Sequence, residues 1–159
     1  MFAIRSATED DVALILYFIR ALAEYERLAD RVVADEDRLR RTLFGNPRFA
    51  EVIFAEENDQ PVGFALFFHN YSTFIGLPGI YLEDLFVEPA HRGRGYGKAL
   101  LQHLAKLAKE RECGRVEWAV LDWNEPSINF YRSIGAVGLD DWRIFRLTGD
   151  ALDALASKE

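Results

Sequence analysis

Three glycines at alternate positions, Gly93, Gly95 and Gly97, separate an apolar stretch that ends at Val87 from an amphipathic stretch that begins near Lys98. Glycine tolerates positive φ angles and lets a ligand come close to the main chain. A helix that starts after such a loop presents unpaired N–H groups and the positive end of its dipole. The segment therefore predicts a strand, a loop and a helix that together can bind an anion such as phosphate. The glycines alone are equally compatible with a plain tight turn.

Two common phosphate-binding motifs do not fit this loop, although Arg92, Arg94 and Lys98 surround it with positive charge. The P-loop motif requires glycine where this chain has Arg92 and a hydroxyl residue where it has Ala99. The dinucleotide-binding fingerprint requires its third glycine one residue later than Gly97. Both of these nucleotide-binding classes are therefore excluded.

The segments on either side of the loop show strand and helix patterns along the whole chain. Strands are predicted at residues 2–5, 49–55, 61–68, 80–87, 115–121 and 142–147, with a short additional strand near Ala136. Helices are predicted from Ser6 or Thr8 to about Tyr25, at 35–43, after the glycines, at 125–134 and at 150–156, and residues 71–79 are predicted to form a loop. Because an antiparallel hairpin lies within this order, the sequence predicts a mixed α/β sheet and excludes a regular doubly wound fold.

Composition sets further bounds on the class of protein. With 159 residues, half of them hydrophobic, the chain has enough apolar side chains for one globular domain, which we place at residues 1–159. No apolar stretch approaches the ~20 residues that span a bilayer, and the N-terminus lacks the pattern of a secretory signal. We therefore expect a cytoplasmic location and no membrane partner.

The cysteine, histidine and charge patterns exclude several kinds of site. The single Cys113 cannot form an intrachain disulfide or a thiolate zinc site, and the three histidines lack metal-ligand spacing, so no metal is predicted. The formal net charge of −7 argues against a nucleic-acid partner and is compatible with a cationic one.

The pattern Arg92-x-x-Gly95-x-Gly97, together with the order of elements, resembles the acyl-CoA pyrophosphate loop and the fold of the Gcn5-related N-acetyltransferase (GNAT) superfamily. The resemblance implies a central mixed sheet of about six to seven strands flanked by helices, with acetyl-CoA as the cofactor. It implies that backbone N–H groups of the loop bind the pyrophosphate and that the preceding strand binds the pantetheine arm. The residues that it assigns to the cofactor are Leu85, Phe86, Val87, Arg92, Gly93, Arg94, Gly95, Tyr96, Gly97, Lys98, Asn124, Glu125, Pro126, Ser127 and Tyr131.

Four further segments resemble the branch of this superfamily that acetylates diamines and polyamines. They are residues 22–26, 62–65, 81–87 and the nine-residue run 123–131, so the similarity covers nearly the whole chain. Related members of the branch act on thialysine-like amino acids. The resemblance therefore implies a small cationic amine as the acceptor, direct transfer in a ternary complex, and a homodimer.

Acetyl transfer to an amine requires a nearby proton acceptor, because an aliphatic ammonium has a pKa of about 10.4 and is almost fully protonated at neutral pH. Glu83 is the best candidate because it interrupts an apolar strand directly before the loop, and a solvated carboxylate at a strand edge is the alternative. Successive strand residues point to opposite faces, so Glu83 and Asp84 enter one cleft only if the strand contains a bulge.

The departing thiolate needs a proton, and the resemblance assigns the donor role to Tyr131, a phenol with a pKa of about 10. A tyrosine that only packs its ring is the alternative. The resemblance also implies that Asn124 contacts the CoA arm. Ser127 has no histidine partner in the pattern, which excludes a nucleophilic serine.

Aromatic faces and carboxylates are suited to a flexible cation. The resemblance assigns the amine site to Tyr25, Glu26, Glu83, Glu117, Trp118 and Ala119, and to the turn formed by Asp140 and Asp141, from which we select Asp141. Two segments depart from the polyamine enzymes. The loop that begins Tyr71-Ser72-Thr73-Phe74 lacks an expected aspartate, and the turn before Trp142 is about two residues shorter.

Two other functions remain compatible with these patterns. One is an acyl-CoA sensor or interaction module that keeps the fold without amine turnover. The other is an acetyltransferase that acts on a protein lysine or N-terminus. The presence of both Glu83 and Tyr131 favours an enzyme over the sensor.

Overall fold

The computed structural model describes residues 1–158, and these divide into two compact units. The first unit is Met1–Leu121 and the second begins at Asp122. Among the described residues, no helix is both long enough and apolar enough to cross a bilayer.

The first unit is built on one mixed sheet whose spatial order follows the chain. Strands β1 to β4 pair antiparallel, and β5 pairs parallel with β4 after a helical crossover. The strands are β1 (Phe2–Ser6), β2 (Glu51–Glu57), β3 (Gln60–Ser72), β4 (Leu77–Val87) and β5 (Val116–Trp118). The parallel pair β4 and β5 is joined by a helical crossover, because a parallel connection must return the chain to the edge of the sheet at which the first strand began.

Three α-helices cover this sheet: α1 (Val12–Tyr25), α2 (Glu36–Phe44) and α3 (Tyr96–Glu110). The α1 and α2 helices share one apolar core with the sheet, in which the Phe18 and Phe64 rings stack with centroids 5.3 Å apart. The Asp35 side chain accepts a hydrogen bond from Arg38 N and so caps the start of α2. The buried side chains of α3, including Leu100 and Leu104, lie outside that core.

A bulge in β4 shifts by one residue the alternation of its side chains between the two faces of the sheet. Leu66 pairs with Asp84 and the next residue of β3, Phe67, pairs with Leu82, so Glu83 is an extra residue in β4. Before the bulge Leu82 lies on the face opposite the α1 core; after it Asp84 shares the α1 face with Phe86. This is the distortion that the sequence argument required if Glu83 and Asp84 were to approach one cleft.

The pairing between β4 and β5 ends where the bulge begins. The paired residues are Ile80 with Val116, Tyr81 with Glu117 and Leu82 with Trp118. A bulge bends its strand and increases the local twist, which interrupts pairing with a neighbouring strand. Within residues 1–158, no pair between β4 and β5 follows Leu82. Residues 83–87 therefore have β3 on one side and no strand on the other among the described residues.

The second unit contains the helices α4 (Glu125–Ser133) and α5 (Gly149–Ala156). Both were predicted from the sequence. The Asn124 side chain accepts a hydrogen bond from Ser127 N and caps α4, and Pro126 lies in its first turn, where a missing N–H is tolerated.

The fold prediction is confirmed, but the predicted number of six to seven strands was wrong, because the described residues contain five. The strand predicted at 142–147 and the short one near Ala136 are absent. Within the second unit no other strand is described that could pair with these segments, and a lone strand leaves its backbone groups unsatisfied. Trp142, Ile144 and Phe145 are accordingly exposed.

Three predicted boundaries also change. The strand predicted at 115–121 covers only Val116–Trp118, because its pairing with β4 ends at Leu82. Most of the predicted loop 71–79 belongs to strands, since β3 continues to Ser72 and β4 begins at Leu77.

Candidate active site

The loop before α3 has the backbone conformation that its glycines favour. Gly93 and Gly95 have φ angles of +79° and +84°, in the left-handed region that side chains disfavour. Gly95 is the N-cap of α3, and the hydrogen bond from Ala99 N to Gly95 O, 2.9 Å long, begins the helical pattern. The N–H groups of Tyr96, Gly97 and Lys98 therefore lie in the first turn, where an anion can accept hydrogen bonds from them.

Arg92, at the start of the loop, contacts residues of β4 and the last residue of α1. Its Nε donates to Val87 O at 2.8 Å, and its guanidinium lies 5.0 Å from the Tyr25 ring centroid and 5.2 Å from that of Phe86. These cation–π contacts orient the side chain. Two residues assigned to different ligands by sequence, Tyr25 and Arg92, thus lie in direct contact.

The other two cations of the loop differ in their surroundings. Arg94 is paired with Glu57, its Nη1 lying 2.9 and 3.1 Å from the two carboxylate oxygens. Lys98 is exposed in the first turn of α3. Of these two cations, Arg94 is therefore neutralised by an acidic partner, whereas Lys98 is exposed to solvent.

The unpaired side of β4 leads from Glu83 to the loop. Leu85 pairs with Ala65, and Phe86 with Phe64, on the β3 side alone. The opposite side of this segment has no strand among the described residues, so its backbone groups can bind an extended ligand.

Three carboxylates meet at the bulge and the end of α1. Burial, followed by the charges of Glu83 and Glu26, raises the pKa of Asp84 to about 7. Burial raises the pKa of Glu26 as well, with the charge of Glu83 adding to the shift. Burial and then the Glu83 charge also raise the pKa of Tyr81. Because one negative charge acts on all three neighbours, the cluster favours a cation.

A cavity of about 540 Å³ lies in the first unit between α1 and the end of β4. It contains residues of both predicted binding sites, and its other lining residues include acidic, basic, aromatic and small apolar side chains. The lining residues are Tyr17, Arg20, Ala21, Glu24, Tyr25, Phe86, Glu88, Pro89 and Arg92.

Glu117 of β5 is already engaged by two partners. Its Oε1 accepts hydrogen bonds from Asn70 Nδ2 and Arg115 Nε, each 3.0 Å long. Its charge nevertheless contributes to the raised pKa of Tyr81. Trp118 is partly buried at the end of β5, and Ala119 follows it in an exposed position.

The remaining predicted site residues belong to the second unit. Asn124 is buried at the N-cap of α4, and Glu125 lies exposed in the first turn. Tyr131 is partly buried near the C-terminus of that helix, with its ring centroid 5.7 Å from that of Phe130. Asp140 and Asp141 are exposed and lie outside helices and strands.

Sequence reasoning missed Asp84 as a member of the acidic cluster. Regular strand alternation separates Asp84 from Glu83, and no residue type in the segment indicates a bulge. It also missed Glu57, whose contacts with the loop depend on how the β2–β3 hairpin folds.

The sequence profile of the Acetyltransferase (GNAT) family matches residues 16–136. This chain belongs to the GNAT family. A thialysine N-epsilon-acetyltransferase of Bos taurus is 39% identical to it, over 98% of this chain and 97% of that enzyme. The L-ornithine N5-acetyltransferase NATA1 of Arabidopsis thaliana is 36% identical, over 96% of this chain and 86% of that enzyme.

A solved structure has the same fold. The integron cassette protein VCH_CASS6, from the mobile metagenome of V. cholerae, superposes with a TM-score of 0.82 at 29% identity. The match covers 99% of this chain and 98% of that one. The predicted family and fold are therefore confirmed.

The protein is an N-acetyltransferase that acetylates amines, and GNAT enzymes take the acetyl group from acetyl-CoA. Two features of the first unit fit this cofactor. The positive-φ glycines expose the N-terminus of α3, which suits a pyrophosphate. The unpaired side of β4 suits an extended arm that carries amide groups.

Proposed function

We propose that this GNAT enzyme acetylates the primary amine of a small substrate that carries a further positive charge. Diamines, polyamines and amino acids such as thialysine or ornithine belong to this class. The observation that carries the proposal is the cluster of Glu26, Glu83 and Asp84, where burial raises the pKa of Glu26 and of Asp84 and the charge of Glu83 adds to both shifts. A bound cation relieves this repulsion, so the cluster favours such a substrate over a neutral one.

Glu83 is the proposed proton acceptor for the substrate ammonium, either directly or through one water. It is the extra residue of the bulge and is exposed, so a substrate can reach its carboxylate. Removal of the proton creates the neutral amine that attacks the thioester. Glu26 and Asp84 hold the rest of the cation, and Tyr25 offers an aromatic face.

Tyr131 is the proposed donor of the proton that the departing thiolate requires. Support comes from the run of residues 123–131, in which this tyrosine follows Asn129 and Phe130. A phenol holds its proton at neutral pH and can donate it to a developing thiolate. The acid and the base act on different groups, which fits direct transfer in a ternary complex without an acetyl-enzyme.

Bound acetyl-CoA supplies the thioester acetyl group. The proposed pyrophosphate ligands are the N–H groups in the first turn of α3, with Arg92, Arg94 and Lys98 adding positive charge. Leu85–Val87 is proposed to bind the pantetheine arm through its backbone, and Asn124–Ser127 to contact the same arm.

Three broader proposals accompany this site. Residues 1–159 form one catalytic domain, which is supported by a family match that spans the boundary between the two units. The enzyme forms a homodimer, which is supported by the exposure of Trp142, Ile144 and Phe145. A cytoplasmic location is supported by a chain whose single cysteine cannot form an intrachain disulfide.

A panel of amines tests the proposal. Purified enzyme and acetyl-CoA are incubated with spermidine, 1,4-diaminobutane, ornithine, lysine, thialysine, an aminoglycoside or a lysine-containing peptide, and free CoA thiol is measured. At least one small polycationic amine should accelerate thiol release and gain one acetyl group by mass spectrometry. Failure of every amine contradicts the proposal, as does a peptide that outperforms all the small amines.

A further inference from the structure

One carboxylate connects the anion-binding loop to a distant hairpin. Glu57, the last residue of β2, accepts hydrogen bonds from Arg94 Nη1 at 2.9 and 3.1 Å. It also accepts one from the Tyr96 hydroxyl at 2.5 Å, and His91 Nε2 lies 3.3 Å from its Oε2. Three side chains from the six-residue stretch 91–96 therefore contact a single carboxylate.

These contacts restrain a segment that is intrinsically mobile. Gly93 and Gly95 gain conformational freedom from the absence of a side chain, so ordering them has a large entropy cost. A ligand that binds an already ordered loop avoids that cost, and its affinity rises accordingly. Glu57 acts on both sides of Gly95, through Arg94 before it and Tyr96 after it.

A second contact holds Tyr96 from the other side. Its ring stacks on Phe2 of β1, with centroids 4.8 Å apart and planes 9° apart. The hydroxyl of the same ring bonds to Glu57, so the first residue of α3 is fixed by two strands of the sheet. The orientation of the helix N-terminus therefore depends on this pair of contacts.

Glu57 is charged when it makes these contacts. Its hydrogen bonds from Tyr96 and Arg94 lower the pKa of its carboxyl below the ordinary value. His91 adds a third contact, since its Nε2 lies 3.3 Å from Glu57 Oε2. Arg94 and Tyr96 both donate hydrogen bonds to Glu57, which is the acceptor in each.

We propose that Glu57 is a positioning residue for CoA: it holds Arg94, Tyr96 and His91 so that the first-turn N–H groups of α3 are ordered before the pyrophosphate arrives. The proposal rests on the assignment of this loop to the CoA pyrophosphate. Glu57 does not contact the cofactor in this account. Its effect is transmitted through the loop and is separate from the chemistry at Glu83.

The test compares Glu57→Gln with the wild type by calorimetric titration of CoA. Gln keeps the size of the side chain and loses the charge, so the charge-assisted hydrogen bonds weaken. The Kd for CoA should rise about tenfold, the effect of weakening a charge-assisted contact of ordinary strength. The KM for acetyl-CoA should rise similarly, while kcat and the KM for the amine stay near their wild-type values.

Glu51→Gln is the matched control. Glu51 begins the same strand and pairs with Arg111 through both carboxylate oxygens, at 2.7 and 2.9 Å, but none of its contacts involves the loop. The Kd of the Glu51→Gln variant for CoA should equal that of the wild type. A second variant, Tyr96→Phe, keeps the ring on Phe2 and removes the hydroxyl, and it should weaken CoA binding in the same direction as Glu57→Gln.

Hydrogen exchange of the CoA-free protein provides a readout that does not depend on activity. Amides of residues 93–98 should exchange faster in Glu57→Gln than in the wild type or in Glu51→Gln. Unchanged exchange and unchanged CoA affinity overturn the proposal. Tighter CoA binding also overturns it, because Glu57 would then compete with the phosphate for Arg94. A wild-type protein that does not bind CoA refutes the assignment of the loop itself.

Discussion

Asp84 provides a quantitative test of the acidic cluster through protein stability. Its pKa rises from an ordinary value of 3.8 to about 7, chiefly through burial and then through the charges of Glu83 and Glu26. One pKa unit corresponds to about 1.4 kcal/mol, so ionised Asp84 lowers the free energy of unfolding by about 4 kcal/mol at most. Solvent access to a partly buried side chain reduces this value, and we expect about 2–4 kcal/mol at pH 8.

The direction of the pH dependence follows from the raised pKa. Between about pH 4 and 7 the folded protein keeps the proton on Asp84 while the unfolded chain has lost it, so the stability that the protonated carboxyl provides falls as the pH rises. Asp84→Asn removes the ionisable group and keeps its shape. The variant should therefore gain about 1–2 kcal/mol over the wild type at pH 5 and about 2–4 kcal/mol at pH 8.

Urea unfolding followed by circular dichroism at the two pH values measures this difference. Asp153→Asn in α5 is the control, because it makes the same change at an exposed carboxylate outside the cluster. Its effect on stability should be smaller than that of Asp84→Asn at both pH values. A gain for Asp84→Asn that is equal at pH 5 and pH 8 refutes the reasoning. So does a variant that is less stable than the wild type at pH 8.

Four other substitutions test separate parts of the account. Glu83→Gln should lower turnover most at low pH, where the amine holds its proton most firmly and the acceptor matters most. Tyr131→Phe should lower kcat while the Kd for CoA stays unchanged, measured by titration. Gly95→Ala forces a side chain into a φ of +84°, and it should cost about 1–2 kcal/mol of stability and raise the Kd for CoA. Phe18→Ala should cost about 3–5 kcal/mol in urea unfolding, because Phe18 is fully buried against Phe64.

Each of these four substitutions has a result that contradicts its premise. A ratio of wild-type to Glu83→Gln rates that is constant across pH removes Glu83 as the base. Equal turnover in Tyr131→Phe removes the proposed acid. Wild-type CoA affinity in Gly95→Ala means that the loop conformation does not control binding, and a loss below 1 kcal/mol in Phe18→Ala contradicts a closely packed core.

Local signals explain what could be predicted from the sequence. Gly93 and Gly95 favour the positive φ angles that they adopt, and apolar periodicity predicts α1 and α3, because both effects act within a few residues. The acidic cluster was only partly predictable. Glu83 interrupts an apolar strand, whereas the position of Asp84 depends on the register between β3 and β4.

Non-local pairing explains what could not be predicted. The alternating residues 142–147 favour a strand, but a strand forms only where a neighbour satisfies its backbone, and none is described within the second unit. The length of β5 depends on the bulge in β4, which the β5 segment does not encode. Likewise, Glu57 belongs to a hairpin more than thirty residues before the loop that it contacts.

The crowded carboxylates should select a substrate that carries a positive charge in addition to the reacting amine. The direct measurement is kcat/KM for 1,4-diaminobutane against 1-aminobutane, which has the same chain length and one ammonium fewer. The diamine should be preferred by about tenfold or more, the effect of one partly buried charge interaction, and Glu26→Gln should reduce that preference. Equal kcat/KM values for the two amines would contradict the account.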